Sequence, residues 1–373
     1  MKIGIDTHAA EGAFSGNRTY VSGLVRALVR LAEPAEYVLY ALDPDHPFYD
    51  ELRALSHVAV RPLWPRHPLA RIPLSMAAAS CRDRLDVLHV QYVGPPVHRG
   101  ALVVTIHDLA FLRIPGSFPT LQAWRLRYQV GRNARRAAAV VTPSEYSRRD
   151  IQDAYRIPDD RIVVTSEGVD ARPADPEAIE RLRRELGIAH RYVLCVGRVN
   201  ARKNLLALLG AFERVRPRLA DPVQLVIAGP RDYRADELDR AIAASPCRTD
   251  VLRVGQVDDE KMPALFSGAS VFVYPSVFEG FGLPPLEAMA CGVPVICSGV
   301  TSLPEVVGDA AITVDPACVD EIAEAMHKVL TDPALQARLV QKGREQASRF
   351  SWRTAAQRTF EVYRMAAKRG VAR

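Results

Sequence analysis

"RYVLCVGRVNARKNLLALLGAF", Arg191–Phe212, decides the fold. A short β-branched and apolar run, "YVLCVG", reads as a buried strand. A loop with Arg198 and Lys203 follows, and "NLLALLGAF" then takes up helical periodicity. A strand followed by a loop and a helix is half of a crossover. Parallel strands need such a connection, whereas antiparallel ones can be joined by a hairpin. The same rhythm extends in both directions. Upstream strand candidates are "KIGID", "YVLYAL", "DVLHVQ", "ALVVTI", "AAVVT" and "RIVVT". Downstream ones are "VQLVIAG", "DVLRVG", "VFVYP", "VPVIC" and "AITV". Such alternation predicts an α/β protein built on doubly wound parallel sheets.

The alternation breaks once, at "SEGVDARPADP", residues 166–176, where glycine, proline and aspartate dominate. With 373 residues the chain is long enough for two domains. The boundaries are read as 1–168 for an N-terminal Rossmann-like domain, 169–189 for a linker region and 190–350 for a C-terminal one. A helical run from about Ala334 to Ala372 closes the chain. Its last part, 351–373, carries Trp352, Phe360 and Tyr363 and is expected to pack back on the N-terminal domain. Two sheets joined by a linker leave a cleft, and ligands of open α/β sheets bind beyond the carboxyl ends of the strands.

Composition excludes several classes. The chain is 48% apolar and 25% charged, as in a soluble globular protein. No apolar run approaches the roughly 20 residues that span a bilayer, and "MKIGIDTHAAEGAF" reads as a strand rather than a signal peptide. A cytoplasmic location is expected. The six cysteines form no C-x-x-C pair, and Cys195 and Cys297 sit in strand-like runs. They read as buried thiols rather than a disulfide or zinc framework. The net charge of +6 suits an anionic partner, but no RNA-binding signature accompanies it, so nucleic acid is not expected.

The residues just after strands carry the chemistry. Arg198 and Lys203 lead from "YVLCVG" into a helix N-terminus, a cradle for phosphate or a solvated basic turn. After "VFVYP", Glu279 precedes a Gly280-Phe281-Gly282 turn that brings backbone close to a ligand. Leu283, Pro284 and Pro285 then start a short helix containing Glu287. An ionised carboxylate accepts two hydrogen bonds side by side and matches the adjacent hydroxyls of a sugar ring. Both glutamates are otherwise ordinary partners of a helix dipole.

The segment "SVFEGFGLPPLEAMACGVPVI", with seven residues between Glu279 and Glu287, resembles the E-x7-E signature of family 4 retaining glycosyltransferases. "GRVNARKN" is similar to that family's diphosphate-binding loop, and "SLPEVVGDAAITVDP", 302–316, to its continuation. The similarity concentrates in residues 190–316 and points to mannosyl- and rhamnosyltransferases of polysaccharide or glycolipid assembly. It implies a GT-B fold, two Rossmann-like domains facing across a cleft. The C-terminal domain would hold a nucleotide-diphosphate sugar and the N-terminal one would lie on the acceptor side. The resemblance gives Arg198 and Lys203 the diphosphate and Glu287 the ribose hydroxyls. Glu279 would meet hydroxyls of the transferred sugar, helped by backbone at Gly280, Phe281, Gly282 and Leu283.

In the N-terminal half, "ALVVTIHD" puts His107 and Asp108 at a strand end. The pair resembles the family's histidine near the transferred sugar, although a lone strand-end histidine is often structural. "GAFSGNRTY", with Gly12, Gly16, Asn17 and Arg18, resembles the first glycine-rich loop. It departs from the commoner form with two adjacent glycines.

The implied reaction moves a hexose, with GDP-mannose as first donor, to a glycan or lipid-linked acceptor with retention. Fixed cations stabilise the departing diphosphate. A covalent role for Glu279, as in retaining glycosidases, is not adopted. "DPD", Asp43–Asp45, matches a metal-binding D-x-D pattern but reads as a surface turn, so no metal and no cofactor are expected. Residues 122–136, "QAWRLRYQVGRNARR", combine Trp124 and Tyr128 with five arginines. They read either as a solvated helix or as a basic amphipathic face for an anionic membrane. Two other enzyme readings, a GT-B-like phosphorylase and a sugar-nucleotide epimerase, and one non-enzyme reading, a membrane or nucleic-acid binder, compete. The phosphorylase lacks its cofactor-lysine motif, and the intact Arg198, Lys203, Glu279 and Glu287 set argues against the binder.

Overall fold

The computed structural model describes residues 1–12, 16–116, 118–232 and 235–371. The chain forms two compact units. One comprises Met1–Arg113, Pro119–Gly168 and Ser351–Arg373; the other comprises Ile114–Phe118 and Val169–Phe350.

The first unit is built on seven parallel strands: β1 (Lys2–Asp6), β2 (Glu36–Ala41), β3 (Val58–Pro62), β4 (Val87–Gln91), β5 (Ala101–Thr105), β6 (Ala139–Thr142) and β7 (Ile162–Val164). They lie in the order β3-β2-β1-β4-β5-β6-β7. Ile3 pairs with both Tyr37 and Val87, so β1 sits centrally. All five residues of β5 are buried, the pattern of a strand covered on both faces. Helix α1 (Gly16–Leu28) turns Tyr20, Val21, Leu24, Val25 and Leu28 onto the sheet at helical spacing. Helix α2 (Thr120–Arg136) buries only Val130, Gly131, Asn133 and Ala134. It contains the basic stretch 122–136. Residues 13–15 of the first glycine-rich loop lie outside the described residues.

The second unit has six parallel strands: β8 (Arg191–Val196), β9 (Val223–Ala228), β10 (Val251–Gly255), β11 (Val271–Tyr274), β12 (Val295–Ser298) and β13 (Ile312–Val314). Their order is β10-β9-β8-β11-β12-β13. The stretch 169–189, expected as a linker, holds helix α3 (Pro176–Leu186). Asp175 accepts from Glu177 N at 3.0 Å, Pro176 occupies the first turn, and Gly187 closes the helix with φ 70°. The proline, aspartate and glycine that suggested a linker are the start and stop of a helix. Helices α4 (Leu205–Val215) and α5 (Leu283–Ala290) follow β8 and β11.

The C-terminal helical run is two helices, α6 (Pro333–Ala347) and α7 (Trp352–Val371). Ser351 interrupts it by accepting from Thr354 N at 3.1 Å, an N-cap that starts α7. Helix α7 belongs to the first unit. Trp352, Phe360 and Tyr363 join the core of Ile3, Leu24, Leu39 and Val103. The indole of Trp352 seats directly on Gly23, where an added Cβ would lie 2.2 Å from the ring.

Burial pushes the thiols of Cys195 and Cys297 up to about 12, which leaves them as inert core residues. Asp43–Asp45 form a turn in which Asp45 N donates to Asp43 Oδ1 at 3.3 Å. Among the described residues no group of three or more His, Cys, Asp or Glu stands where it can hold a metal ion.

Candidate active site

In each unit the strand order reverses beside the first strand. In the second unit the reversal falls between β8 and β11, and open α/β sheets bind ligands beyond the carboxyl ends of the strands at such a point. Lys203 comes from the loop after β8. Tyr274 ends β11, and Ser276 and Glu279 follow it. The topology therefore brings together residues more than 70 positions apart.

Lys203 Nζ lies 2.6 Å from Glu279 Oε1 and donates a very short hydrogen bond to Tyr274 Oη. Tyr274 Oη in turn donates to Glu279 Oε1 at 3.0 Å, and Ser276 Oγ sits 2.5 Å from the same oxygen. Arg202 Nη2 stands 3.9 Å from Glu279 Oε2. Lys203 and Glu279 are 7% and 6% exposed. Burial alone would raise the Glu279 pKa. The charges of Lys203 and Arg202 and the hydrogen bonds from Lys203 and Ser276 outweigh it and bring the group to about 2. Burial and the Glu279 charge push the Tyr274 hydroxyl far above its ordinary value, so it stays a donor.

This arrangement changes two sequence expectations. Lys203 was read as part of a phosphate cradle or of a solvated basic turn. It is instead fixed in a short 3-10 turn, Ala201–Lys203, whose next residue, Asn204, has φ 55° and is tied to Pro316 O at 2.7 Å. Glu279 was read as reaching outward to a sugar. Its Oε1 is engaged inside the unit, because a carboxylate this buried needs a cation and donors. Arg198 is 42% exposed at its side chain and lies 4.0 Å from Asp232 Oδ2. Glu287 is half-buried in the second turn of α5.

The glycine turn is held by Thr301 and Ser302, in the turn after β12 that precedes the helix Leu303–Val307. Ser302 Oγ lies 2.9 Å from Glu279 O and 2.8 Å from Phe281 O, and Glu279 N donates to Thr301 Oγ1 at 3.2 Å. Gly282 has φ 118° and caps α5, and a Cβ there would meet Leu303 Cδ2 at 2.6 Å. The Phe281 ring is buried edge-on against Phe350, with centroids 5.7 Å apart. Leu283, the first residue of α5, is buried as well.

In the first unit, His107 follows β5 and is 7% exposed. Its Nδ1 lies 3.3 Å from Glu167 Oε1 and its Nε2 3.3 Å from Gln91 Oε1. The Tyr20 ring stands edge-on to the imidazole, with centroids 4.5 Å apart. Gln91 Oε1 and the Glu167 carboxylate are both acceptors, so the imidazole donates to whichever of them faces its protonated nitrogen. Asp108 accepts from Ala110 N at 3.0 Å and starts a short helical turn. Gly16 and Asn17 are exposed at the N-terminus of α1, with Arg18 half-buried beside them.

Sequence reading passed over Arg202, Tyr274, Ser276, Thr301 and Ser302. Arg202 stands one place from Lys203 in the quoted loop, and Ser276 three before Glu279. Glu167 lay in the break at 166–176 and was given no role, although it comes two residues after "RIVVT", a strand end where a carboxylate is informative.

The comparisons agree with this architecture. Residues 178–346 match the model for glycosyl transferases group 1. Residues 14–172 match the model for Glycosyltransferase Family 4. The chain is 34% identical over 297 residues to O-antigen chain mannosyltransferase B of Escherichia coli, covering 77% of each. It is 33% identical to alpha-maltose-1-phosphate synthase of Mycolicibacterium smegmatis over 74% of this chain and 77% of that one. A sucrose-phosphate synthase structure from Thermosynechococcus elongatus shares the fold, with a TM-score of 0.78 at 22% identity, over 97% of this chain and 98% of that one. The two parallel-sheet Rossmann-like units are thus those of GT-B proteins, and the chain is a glycosyltransferase belonging to family 4.

Proposed function

We propose that the protein moves a hexose from a nucleotide-diphosphate sugar, GDP-mannose in the first instance, to a glycan or lipid-linked acceptor with retention of configuration. One observation carries the reading: the Lys203 and Glu279 pair, with Arg202 beside it and Arg198 in the same loop after β8, at the topological switch point of the second unit. The similarity to a mannosyltransferase of polysaccharide assembly supports the choice of sugar. When the bond to the anomeric carbon breaks, its electron pair leaves on the diphosphate. Arg198 and Lys203 stabilise that charge, and Glu279 holds the ammonium in place. The turn from Gly280 to Leu283 carries the backbone that faces the transferred sugar, and Glu287 accepts the ribose hydroxyls. His107, Asp108, Gly16 and Asn17 belong to the first unit, the first two just after β5 and the last two at the start of α1.

Three groups share Glu279 Oε1 at hydrogen-bond distance, which spreads its charge and weakens it as a nucleophile. This favours a positioning role over a covalent intermediate. The test is a thermal-shift panel of GDP, UDP, ADP and dTDP, followed by turnover with the matching hexose donor. The preferred nucleotide at about 100 times its Kd adds about 2.7 kcal/mol to stability. Arg198→Ala abolishes turnover while the protein stays folded. No stabilisation by any of the four, or full turnover in Arg198→Ala, would sink the reading.

A further inference from the structure

Helix α2 shows two opposed faces. Val130, Asn133 and Ala134 pack inward. On the opposite side, at spacings of three and four, stand Leu121, Trp124 and Tyr128, which are 84%, 70% and 64% exposed. Arg125, Arg132 and Arg135 share that face and are exposed too. Arg125 Nε donates along its own helix to Gln129 Oε1 at 3.3 Å. Large apolar side chains held out in a row mark an interaction surface rather than ordinary solvent exposure.

Charge identifies the partner. The 36 residues Leu109–Ser144 contain six arginines and no aspartate or glutamate. From Arg61 to Arg136 twelve arginines stand against Asp83, Asp86 and Asp108. That surplus of nine exceeds the +6 of the whole chain, so the remaining residues together are acidic by three. The positive charge is therefore concentrated in the stretch that holds the exposed helix face. An aromatic and leucine row flanked by arginines, whose long stems lie along apolar surface while the guanidinium stays wet, fits the headgroup layer of a bilayer. No helix of the described residues is long and apolar enough to cross a membrane, so the contact is with its surface.

We infer that the exposed face of α2, through Leu121, Trp124 and Tyr128 with Arg125, Arg132 and Arg135, docks the protein on an anionic lipid surface. Trp124 and Tyr128 sit at the headgroup level and the arginines meet lipid phosphate. The inference goes beyond the donor reading and does not depend on it.

The experiment is cosedimentation of the full chain with vesicles of phosphatidylcholine alone and with vesicles that also contain phosphatidylglycerol. Three arginines at about 1 kcal/mol each predict on the order of a hundredfold preference for the anionic vesicles, lost at high salt. Arg125→Glu/Arg132→Glu removes that preference, and Trp124→Ser/Tyr128→Ser weakens binding at every lipid composition. Both variants keep the melting temperature and the nucleotide-induced thermal shift of the parent chain, since the changed residues are exposed. Equal binding to both vesicle types, an anionic preference that survives the arginine pair, or retention on RNA without vesicle binding would overturn the inference. Soluble self-association through α2 that vanishes in Trp124→Ser/Tyr128→Ser, with no vesicle binding, would overturn it as well.

Discussion

Lys203 Nζ and Glu279 Oε1 are 2.6 Å apart although 76 residues separate them in the chain. The pair joins the loop after β8 to the loop after β11, and neither loop is held in the observed shape by local sequence alone. A buried pair of this kind is costly to assemble and far more costly to break on one side.

Removal of one partner therefore acts on stability as well as turnover. Lys203→Met strands a buried carboxylate and costs about 3–5 kcal/mol. Lys203→Met/Glu279→Leu removes both charges and regains most of that stability, while turnover stays at least about a hundredfold down because the cation is gone. Chemical denaturation of the single and double variants checks this. A double variant no more stable than the single one would show that the pair is not what joins the loops.

Acid unfolding should proceed in two windows. His89 is buried between Tyr363 Oη and Thr105 Oγ1, each at 2.7 Å, and burial, aided by His107, lowers its pKa from 6.5 to about 3. The unfolded chain binds a proton there first, so stability falls as pH drops below 6.5, by up to about 1.4 kcal/mol per unit until about pH 3. Glu279 is likewise depressed, from 4.5 to about 2, and its contribution is fully present above pH 4.5 and lost below it. Melting curves between pH 7 and 3 should show the first unit weakening before the second. His89→Gln should flatten the upper window only.

The contact between His107 and Glu167 predicts a separable effect on catalysis. Glu167→Ala frees the imidazole to change tautomer and rotate, and turnover falls about ten- to a hundredfold with little change in donor KM. Glu167→Gln, which still accepts from Nδ1, recovers part of the loss and shifts the pH profile of kcat. A fall in donor affinity equal to the fall in kcat would point to a merely structural glutamate.

Gly229 follows β9 with φ 139°, and a Cβ there would lie 2.0 Å from Gly197 O, just before Arg198. Gly229→Ala displaces the backbone that carries Arg198. We expect a loss of about 1–3 kcal/mol in stability and a nucleotide-induced thermal shift reduced more than that of a distant surface variant. An unchanged nucleotide response would separate this glycine from the donor loop.

The order of most strands and helices, and the places of His107, Arg198 and Glu279 shortly after strands, were legible from the chain. Apolar periodicity and breaker residues are local properties, and strand ends follow from them. The start of α3 was misread because Asp-Pro and Gly mark helix ends and linkers alike.

What the chain alone did not determine is which of these residues hold one another. The pairing of Lys203 with Glu279 and the seating of Glu167 on His107 arise only when parallel strands bring distant loops side by side. The elements that α7 packs against, α1 and β5 foremost, likewise depend on the whole packed unit. Burial then settles the roles: once water is excluded, a carboxylate must find a cation, and the cation within reach is chosen by the sheet order rather than by sequence distance.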